Sequence, residues 1–164
     1  VIMVDAYQDI TIPFQMSSVE FFNMVKDHLT ENGVMVVNMN MRGSGEGNIN
    51  QYLADTIASV FGTVYTADVK GSTNRELFAS NQEDMLDTLK NNAGNLANAD
   101  LQNMMLAVAD TSTQYDGGDY IMTDDKAPVE LLGMQVIDQV IKEEVAYYKG
   151  IYEEQGLDGL LQSL

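Results

Sequence analysis

Cysteine and tryptophan are absent from the 164 residues, and histidine occurs once, as His28. Without cysteine the chain can form no disulfide, no thiolate metal site and no thiol nucleophile. His28 has no second histidine or clear acidic partner near it in sequence, so we expect no metal site. No apolar run approaches the roughly 18 residues of a membrane span, and no basic-then-apolar leader opens the chain. We therefore expect these residues to be soluble.

Basic residues are also scarce, since 8 lysines and arginines face 25 acidic residues and the formal net charge is −17. Such a surface repels phosphate backbones and anionic lipid head groups, which argues against nucleic acid as a partner. It would attract a cationic molecule such as a polyamine. Many acidic proteins are simply soluble, however, so charge alone selects no positive function.

The first half of the chain predicts alternating strands and helices. Val1–Val4 is short, β-branched and apolar on both faces, which is typical of a fully buried parallel strand. Ser17–Glu20 resembles a capping box, with Ser17 as the cap and Glu20 reaching back, for a helix that ends near Asn32–Gly33. Val34–Val37 then predicts a second buried strand and Ile49–Phe61 a second helix. Strand, helix, strand, helix in this order implies parallel pairing.

The second half predicts a hairpin followed by helices. Thr63–Val69 and Glu76–Ser80 are joined by too few residues for a crossover helix, so they should pair antiparallel at the sheet edge. Helices are predicted over Glu83–Asn91, Ala99–Ala109 and Val129–Tyr148. We therefore divide the chain into an α/β part, residues 1–81, and a helical extension packed on it, residues 82–164.

Three segments in this order resemble the spermidine synthase family, the polyamine aminopropyltransferases. They are Met3-Val4-Asp5-Ala6-Tyr7 through Ile12-Pro13-Phe14 into Ser18–Phe22; Leu29–Asn38, where a helix end and a glycine turn lead into a strand; and Met122-Thr123-Asp124-Asp125-Lys126-Ala127-Pro128-Val129-Glu130. The third is similar to a segment of bacterial family members whose synthase domain follows a membrane-spanning region. Together the three segments and their spacing cover most of the chain.

The resemblance implies the C-terminal half of a class I methyltransferase-like (Rossmann-like) doubly wound sheet, with a terminal antiparallel hairpin and a helical extension. It implies a transferase of polyamine biosynthesis that moves an aminopropyl group from decarboxylated S-adenosylmethionine to a diamine such as putrescine, without a metal. The nucleoside site would be incomplete here, because the family's first three strands, in a missing N-terminal half, supply its glycine-rich turn and acidic ribose ligand. The expected location is the cytoplasm, with a possible tether to the inner membrane face through an absent upstream region. An exposed edge of Val1–Val4 predicts self-association.

The resemblance also assigns candidate site residues. Asp5, at the carboxyl end of the first strand, matches the catalytic aspartate that would accept a proton from the attacking amine. The family commonly places a second carboxylate three residues later, where this chain has Gln8, and Asp9 is displaced by one position. Asp9, with Tyr7 or Gln8, is the candidate for holding the diamine. The alternative for Asp5 is a cap on its loop, and Tyr7 could simply fill that loop.

Two further candidates are more remote in sequence. Asn38 matches a polar amide that the family carries near the substrate, although such amides often satisfy loop backbone. Asp124 would lie near the active-site face, but capping of the helix after Pro128 also explains it. The glycine-rich Gly43–Gly47 resembles a cofactor loop, yet Glu46 would oppose phosphate. The displaced Asp9 leaves open a noncatalytic scaffold, and a methyltransferase on the same fold is a third possibility.

Overall fold

A computed structural model describes residues 1–5, 13–40 and 45–163, except for the side chain of Asn40. In this part of the chain, five strands form one mixed sheet in the order β1-β2-β4-β3-β5. The strands are β1 Ile2–Val4, β2 Val34–Asn40, β3 Thr63–Asp68, β4 Asn74–Ser80 and the short β5 Thr113–Gln114.

The helices lie between and after these strands. They are α1 Val19–His28, α2 Ile49–Val60, α3 Met85–Gly94, α4 Ala99–Thr111 and α5 Val129–Ser163, with a 3-10 turn at Phe14–Met16. Gly156 adopts φ 69° and ψ −161°, which breaks α5 into two helical pieces. The helices predicted after residue 81 are present, and each continues beyond its predicted end.

The parallel pair and the hairpin are both confirmed. β1 pairs parallel with β2, with Val4 opposite Val37. β4 pairs antiparallel with β3 and also with β2, so that the hairpin folds back and inserts its second strand beside the parallel pair. The polar groups at the carboxyl ends of β1 and β2 therefore meet the amino-terminal half of β4.

The two faces of the sheet are covered differently. One face, which includes Met35, Val37 and Leu77, packs on Phe22 of α1 and Leu53 of α2 to form the main core. These five side chains have essentially no exposed surface, and burial of apolar surface in this core is the main source of hydrophobic stabilisation. The opposite face looks toward α3 and α4, and its apolar residues Val36, Tyr65 and Phe78 are only half-buried. We call it the α3/α4 face.

The expectation that Val1–Val4 is fully buried was wrong. Val4 lies in the core, but Val1 is 87% exposed and Met3 is 73% exposed. Within the described residues, β1 pairs only with β2, and its outer edge meets no other strand. An apolar strand with an uncovered face and a free edge is a surface that further protein structure can cover.

The start of α1 also differs from the prediction. Ser18, not Ser17, is the N-cap, because the Ser18 Oγ accepts a hydrogen bond from the Phe21 N–H at 3.2 Å. The Ser17 hydroxyl instead donates to the Phe14 carbonyl at 2.8 Å. Glu20 does not reach back to the cap; its Oε2 accepts from the Asp124 N–H at 3.0 Å. The helix start is thus fastened to a segment more than 100 residues away.

Two element ends differ as well. Helix α1 ends at His28 rather than at Asn32–Gly33, because Leu29 is extended and a turn from Thr30 to Gly33 leads into β2. Gly33 does not have the positive φ of a left-handed cap. Strand β2 continues through Asn38 to Asn40, because β4 pairs with it along that whole length. Asn38 is therefore fixed by its pairing with β4, one residue past the last pairing of β2 with β1.

Replacing Ser18 by alanine is expected to reduce the free energy of unfolding by about 1 kcal/mol, the usual worth of an N-cap side chain. The cap bond to Phe21 and the 2.5 Å hydrogen bond that the Ser18 hydroxyl donates to Asp124 Oδ1 would both be lost. Urea unfolding of Ser18→Ala measures this change. The matched control is Ser59→Ala on α2, where the hydroxyl is exposed and donates only to a carbonyl of its own helix. Equal losses in the two variants would contradict the assigned cap.

Candidate active site

Asp5 and Asn38 are brought together where the parallel strands run toward their carboxyl ends. Asp5 directly follows β1, and Asn38 is the residue of β2 after Val37, the partner of Val4. The Asn38 Nδ2 donates a hydrogen bond to Asp5 Oδ1 at 3.3 Å. Open α/β sheets bind ligands at this edge, because the strand ends and the following loops converge there. Asp5 is exposed and Asn38 is half-buried, so the pair borders solvent.

The orientation of the Asn38 amide follows from this contact. An ionised carboxylate can only accept hydrogen bonds, so the amide nitrogen of Asn38 must face Asp5. Asn38 Oδ1 is then directed elsewhere; it is buried and has no hydrogen-bond partner within the described part of the chain. A buried acceptor without a donor costs free energy.

Glu76 is a third polar side chain at this place, and the sequence analysis did not select it. In the antiparallel register of β2 and β4, Glu76 stands directly opposite Asn38. Its carboxyl is only half-buried. Burial, and then the nearby negative charge of Asp5, raise the pKa of the Glu76 carboxyl above its ordinary value. Asp5 and Glu76 therefore flank Asn38 from the two neighbouring strands and repel each other.

The raised pKa of Glu76 has a consequence for stability. The Glu76 carboxyl binds a proton more readily in the folded chain than in the unfolded chain. Protonation of Glu76 therefore stabilises the fold fully below the ordinary pKa of 4.5, and this contribution is lost as pH rises through the raised pKa. Glu76→Gln removes this titration. We expect its free energy of unfolding to decline less steeply with pH just above 4.5 than that of the unchanged chain.

Chemical unfolding at a series of pH values measures these slopes. Glu83→Gln, at an exposed position before α3, is the matched control and should follow the unchanged chain. Parallel curves for Glu76→Gln and the unchanged chain would show that Asp5 and burial do not act on Glu76.

An apolar groove adjoins this acidic row. Val36 is opposite Phe78, which is opposite Tyr65. On the same face of the sheet, Val36 lies two residues before Asn38, and Phe78 lies two residues after Glu76. With α3 and α4 these residues line a groove of about 830 Å³, whose helix side includes Leu86, Leu89 and Met105. Two residues along a strand correspond to about 6.6 Å. The carboxylates thus lie at one end of an apolar surface.

Asp124 is held by contacts with the start of α1. Its carboxylate accepts the Ser18 hydroxyl, and its backbone N–H donates to Glu20, both at the start of α1. No described hydrogen bond or ion pair joins Asp124 to Asp5 or Asn38. The observed contacts of Asp124 tie the segment before α5 to α1.

Tyr7, Gln8 and Asp9 lie outside the described residues. Of the glycine-rich segment Gly43–Gly47, the structure describes Gly45–Gly47. Hydrogen bonds with other side chains of the chain hold these residues in place. The Gly47 N–H donates to the Gln51 side chain at 2.8 Å, the Asn48 side chain donates to the Gly45 carbonyl at 2.6 Å, and Tyr120 OH donates to Glu46 at 3.1 Å.

Asp55, on α2, is a buried carboxylate that the sequence analysis also missed. It is 1% exposed and accepts hydrogen bonds from the Tyr115 hydroxyl and, at 3.1 Å, from the Tyr120 N–H. Burial and this contact raise the pKa of Tyr115, which keeps its hydroxyl protonated as the donor. A Cβ at Gly118 would lie 2.7 Å from Asp55 Oδ2, so glycine is needed for the loop to approach. Asp55 anchors residues 115–120 to α2.

Within residues 1–5, 13–40 and 45–163, no group of three or more histidine and acidic side chains could hold a metal ion. In the same part of the chain, no helix combines the length and apolar character that crossing a membrane requires.

Comparison with known proteins supplies information that is independent of the structure. No protein-family model matches the chain. A curated protein of Bifidobacterium longum (strain NCC 2705), named "Probable polyamine aminopropyl transferase", is 51% identical over 181 aligned positions. The match includes 100% of this chain but 41% of that relative, so the chain spans less than half of the relative's length.

The aligned region includes the β1–β2 pair that presents Asp5 and Asn38 as well as the helices that follow, because it covers the whole chain. The mixed α/β sheet agrees with the Rossmann-like, methyltransferase-like fold that the resemblance implied. Sequence identity of this extent between two whole segments reflects common descent and a shared fold. The chain belongs to the polyamine aminopropyltransferase family.

Proposed function

We propose that the full-length protein carrying this chain transfers an aminopropyl group from decarboxylated S-adenosylmethionine to a diamine such as putrescine, with spermidine and methylthioadenosine as products. The observation that supports this most strongly is the Asp5–Asn38 contact at the carboxyl side of the parallel pair, in a chain 51% identical to a probable aminopropyltransferase. In this proposal Asp5 is the general base.

The proposed reaction needs a carboxylate at this position. A primary amine has a pKa near 10 and is protonated at neutral pH, so it must lose a proton before it can attack. Asp5 would accept that proton as the amine nitrogen forms a bond to the methylene carbon beside the sulfonium sulfur. The carbon–sulfur bond breaks, and its electron pair neutralises the sulfur and leaves methylthioadenosine. Because a sulfonium is already a good leaving group, alignment of the two substrates would supply much of the acceleration.

The exposed position of Asp5 suits this role, since the amine must enter from solvent. Asn38 would hold the Asp5 carboxylate in position through its amide N–H. Asp9, with Tyr7 or Gln8, remains the proposed contact for the rest of the diamine, and Asp124 a proposed residue of the same side of the site.

The nucleoside site, the domain division, the location and the oligomeric state are also proposed. The nucleoside would be held mainly by sequence that corresponds to the part of the relative outside this chain. We place residues 1–81 in the catalytic domain and 82–164 in its helical extension. We propose that the protein is bacterial and acts in the cytoplasm, either free or tethered to the inner face of the membrane. This location would give it access to an intracellular nucleoside substrate. The free edge of β1 and its exposed Met3 favour an oligomer or a larger domain.

The test is an assay of the full-length protein with decarboxylated S-adenosylmethionine and putrescine, with products identified by mass spectrometry. We expect spermidine and methylthioadenosine in equal amounts. A parallel reaction with S-adenosylmethionine reports methyl transfer. Methylated product without spermidine would support a methyltransferase, and no transfer to any diamine would support a noncatalytic scaffold.

A further inference from the structure

We propose that Glu76 is an additional substrate-binding residue, which together with Asp5 and Asn38 receives the primary ammonium group of the amine substrate. This inference rests on the proposed function and adds a third contact to it. The three side chains come from three adjacent strands, β1, β2 and β4.

The strand register aligns these residues in one row. Asn38 is opposite Glu76 on β4 and bonded to Asp5 after β1, so it lies between the two acids. Neighbouring strands are about 4.8 Å apart, which puts the backbones of Asp5 and Glu76 about 10 Å apart across Asn38. Side chains from these two backbones can converge on one small group above the amide.

The row offers an acceptor set that matches an ammonium ion. A primary ammonium has three N–H donors and no acceptor. The row contains two carboxylates and the buried Asn38 Oδ1, which has no partner among the described residues. The two carboxylates can therefore accept hydrogen bonds from the ammonium, whereas Asn38 Oδ1 has no exposed surface and becomes a third acceptor only if the amide turns toward the ligand.

The charges favour the same ligand. Glu76 forms no ion pair with a lysine or arginine of the described chain, since Arg75 beside it pairs with Asp68 at 2.5 Å. A cation between Asp5 and Glu76 would offset their mutual repulsion. A neutral or anionic ligand would not.

The groove beside the row suits the rest of an aliphatic amine. Val36, Phe78 and Tyr65 begin an apolar surface one pleat away from Asn38 and Glu76. The methylene chain of a diamine can lie on such a surface while its ammonium stays among the acceptors, as lysine side chains do. The inferred substrate class is thus an unbranched primary alkylamine.

Glu76 and Asp5 would act at different stages. Both attract the incoming ammonium, but only Asp5 would take the proton when the carbon–nitrogen bond forms. Glu76 would hold the remaining N–H groups. Loss of Glu76 should therefore weaken amine binding, whereas loss of Asp5 should slow the chemical step.

Steady-state kinetics of Glu76→Gln in the full-length protein test this division. We expect the KM for putrescine to rise roughly 10- to 100-fold, the worth of one hydrogen bond to a charged group, with kcat changed much less. Glu76→Asp keeps the charge and should lose less affinity. Glu83→Gln, remote from the row in an exposed position, should behave as the unchanged protein. An unchanged KM for putrescine in a folded, active Glu76→Gln variant would overturn the inference.

Calorimetric titration of putrescine into the same proteins separates this inference from the proposed function. If the unmutated protein binds putrescine, fails to transfer an aminopropyl group, and loses binding with Glu76→Gln, the amine site stands and the transfer proposal fails. If Glu76→Gln binds putrescine as tightly as the unmutated protein, or the unmutated protein binds none, the assignment of Glu76 is wrong whatever the transfer assay shows.

Discussion

Asp5→Asn in the full-length protein is expected to reduce kcat for aminopropyl transfer by about 100- to 10,000-fold, the usual contribution of general-base catalysis. Asparagine keeps the size of the side chain and one acceptor oxygen, but it cannot take the proton from the amine. Affinity for methylthioadenosine should change little, because no part of the proposal places Asp5 against the nucleoside. The measurement is turnover at saturating putrescine, with methylthioadenosine binding measured in parallel.

Asp27→Asn is the matched control, because Asp27 is an exposed aspartate on α1, outside the candidate site. It should retain the turnover of the unmutated protein. Thermal unfolding of both variants excludes a folding defect as the cause of lost activity. Unchanged turnover in a well-folded Asp5→Asn protein would remove the general-base role and leave Asp5 as a loop cap.

Asp55→Ala should produce the largest loss of stability among the polar substitutions considered, roughly 3 kcal/mol. The change removes a carboxylate that is 1% exposed and deprives the Tyr115 hydroxyl and the Tyr120 N–H of their acceptor. It also leaves an empty space beside Gly118, which packs closely against the Asp55 carboxylate. Equilibrium unfolding in urea measures the loss, and amide exchange should show faster opening of residues 115–120.

Asp138→Ala provides the comparison, because Asp138 is an aspartate at an exposed position of helix α5. Its effect should stay within about 0.5 kcal/mol, as for most surface substitutions. A similarly small effect of Asp55→Ala would mean that residues 115–120 hold their position without the buried carboxylate.

The strands and helices of the first 80 residues could be predicted from local patterns. Val34–Val37 and Ile49–Phe61 carry apolar residues at strand and helix spacing, and their order predicts the parallel pairing that the structure confirms. The short connection between β3 and β4 likewise predicts their hairpin. The insertion of β4 beside β2 depends on contacts distant in sequence, and no local pattern reports it.

The candidate site could be predicted only in part for the same reason. Asp5 and Asn38 were predicted through the family resemblance, each directly after an apolar strand segment, and the structure joins them. Glu76 reaches the same row only through the register of β4 on β2. In the sequence, Glu76 is only a single acidic residue at the start of the apolar segment Glu76–Ala79. An acidic residue at the start of a strand is usually exposed to solvent, so this pattern does not indicate a binding role.

Asp55 was missed for a related reason. Residues 53–57 of α2 are all buried, because residues 115–122 cover the side of the helix that faces away from the sheet. Helical periodicity predicts one buried face and gives no indication of this second cover. Ser17 was similarly chosen as the cap in place of Ser18, because the bond between Ser18 and Asp124 spans 106 residues.

In the proposed mechanism, the Asp5 carboxylate contacts the amine that attacks the carbon beside the sulfonium. Carbon-13 NMR of carboxylate-labelled aspartate in the full-length protein, with methylthioadenosine bound, tests it directly when putrescine is added. The Asp5 signal is identified by its absence from the Asp5→Asn spectrum. We expect it to shift as putrescine saturates, while the Asp27 signal stays in place. An Asp5 signal that does not move at saturating putrescine, in a protein that forms spermidine, would contradict the account.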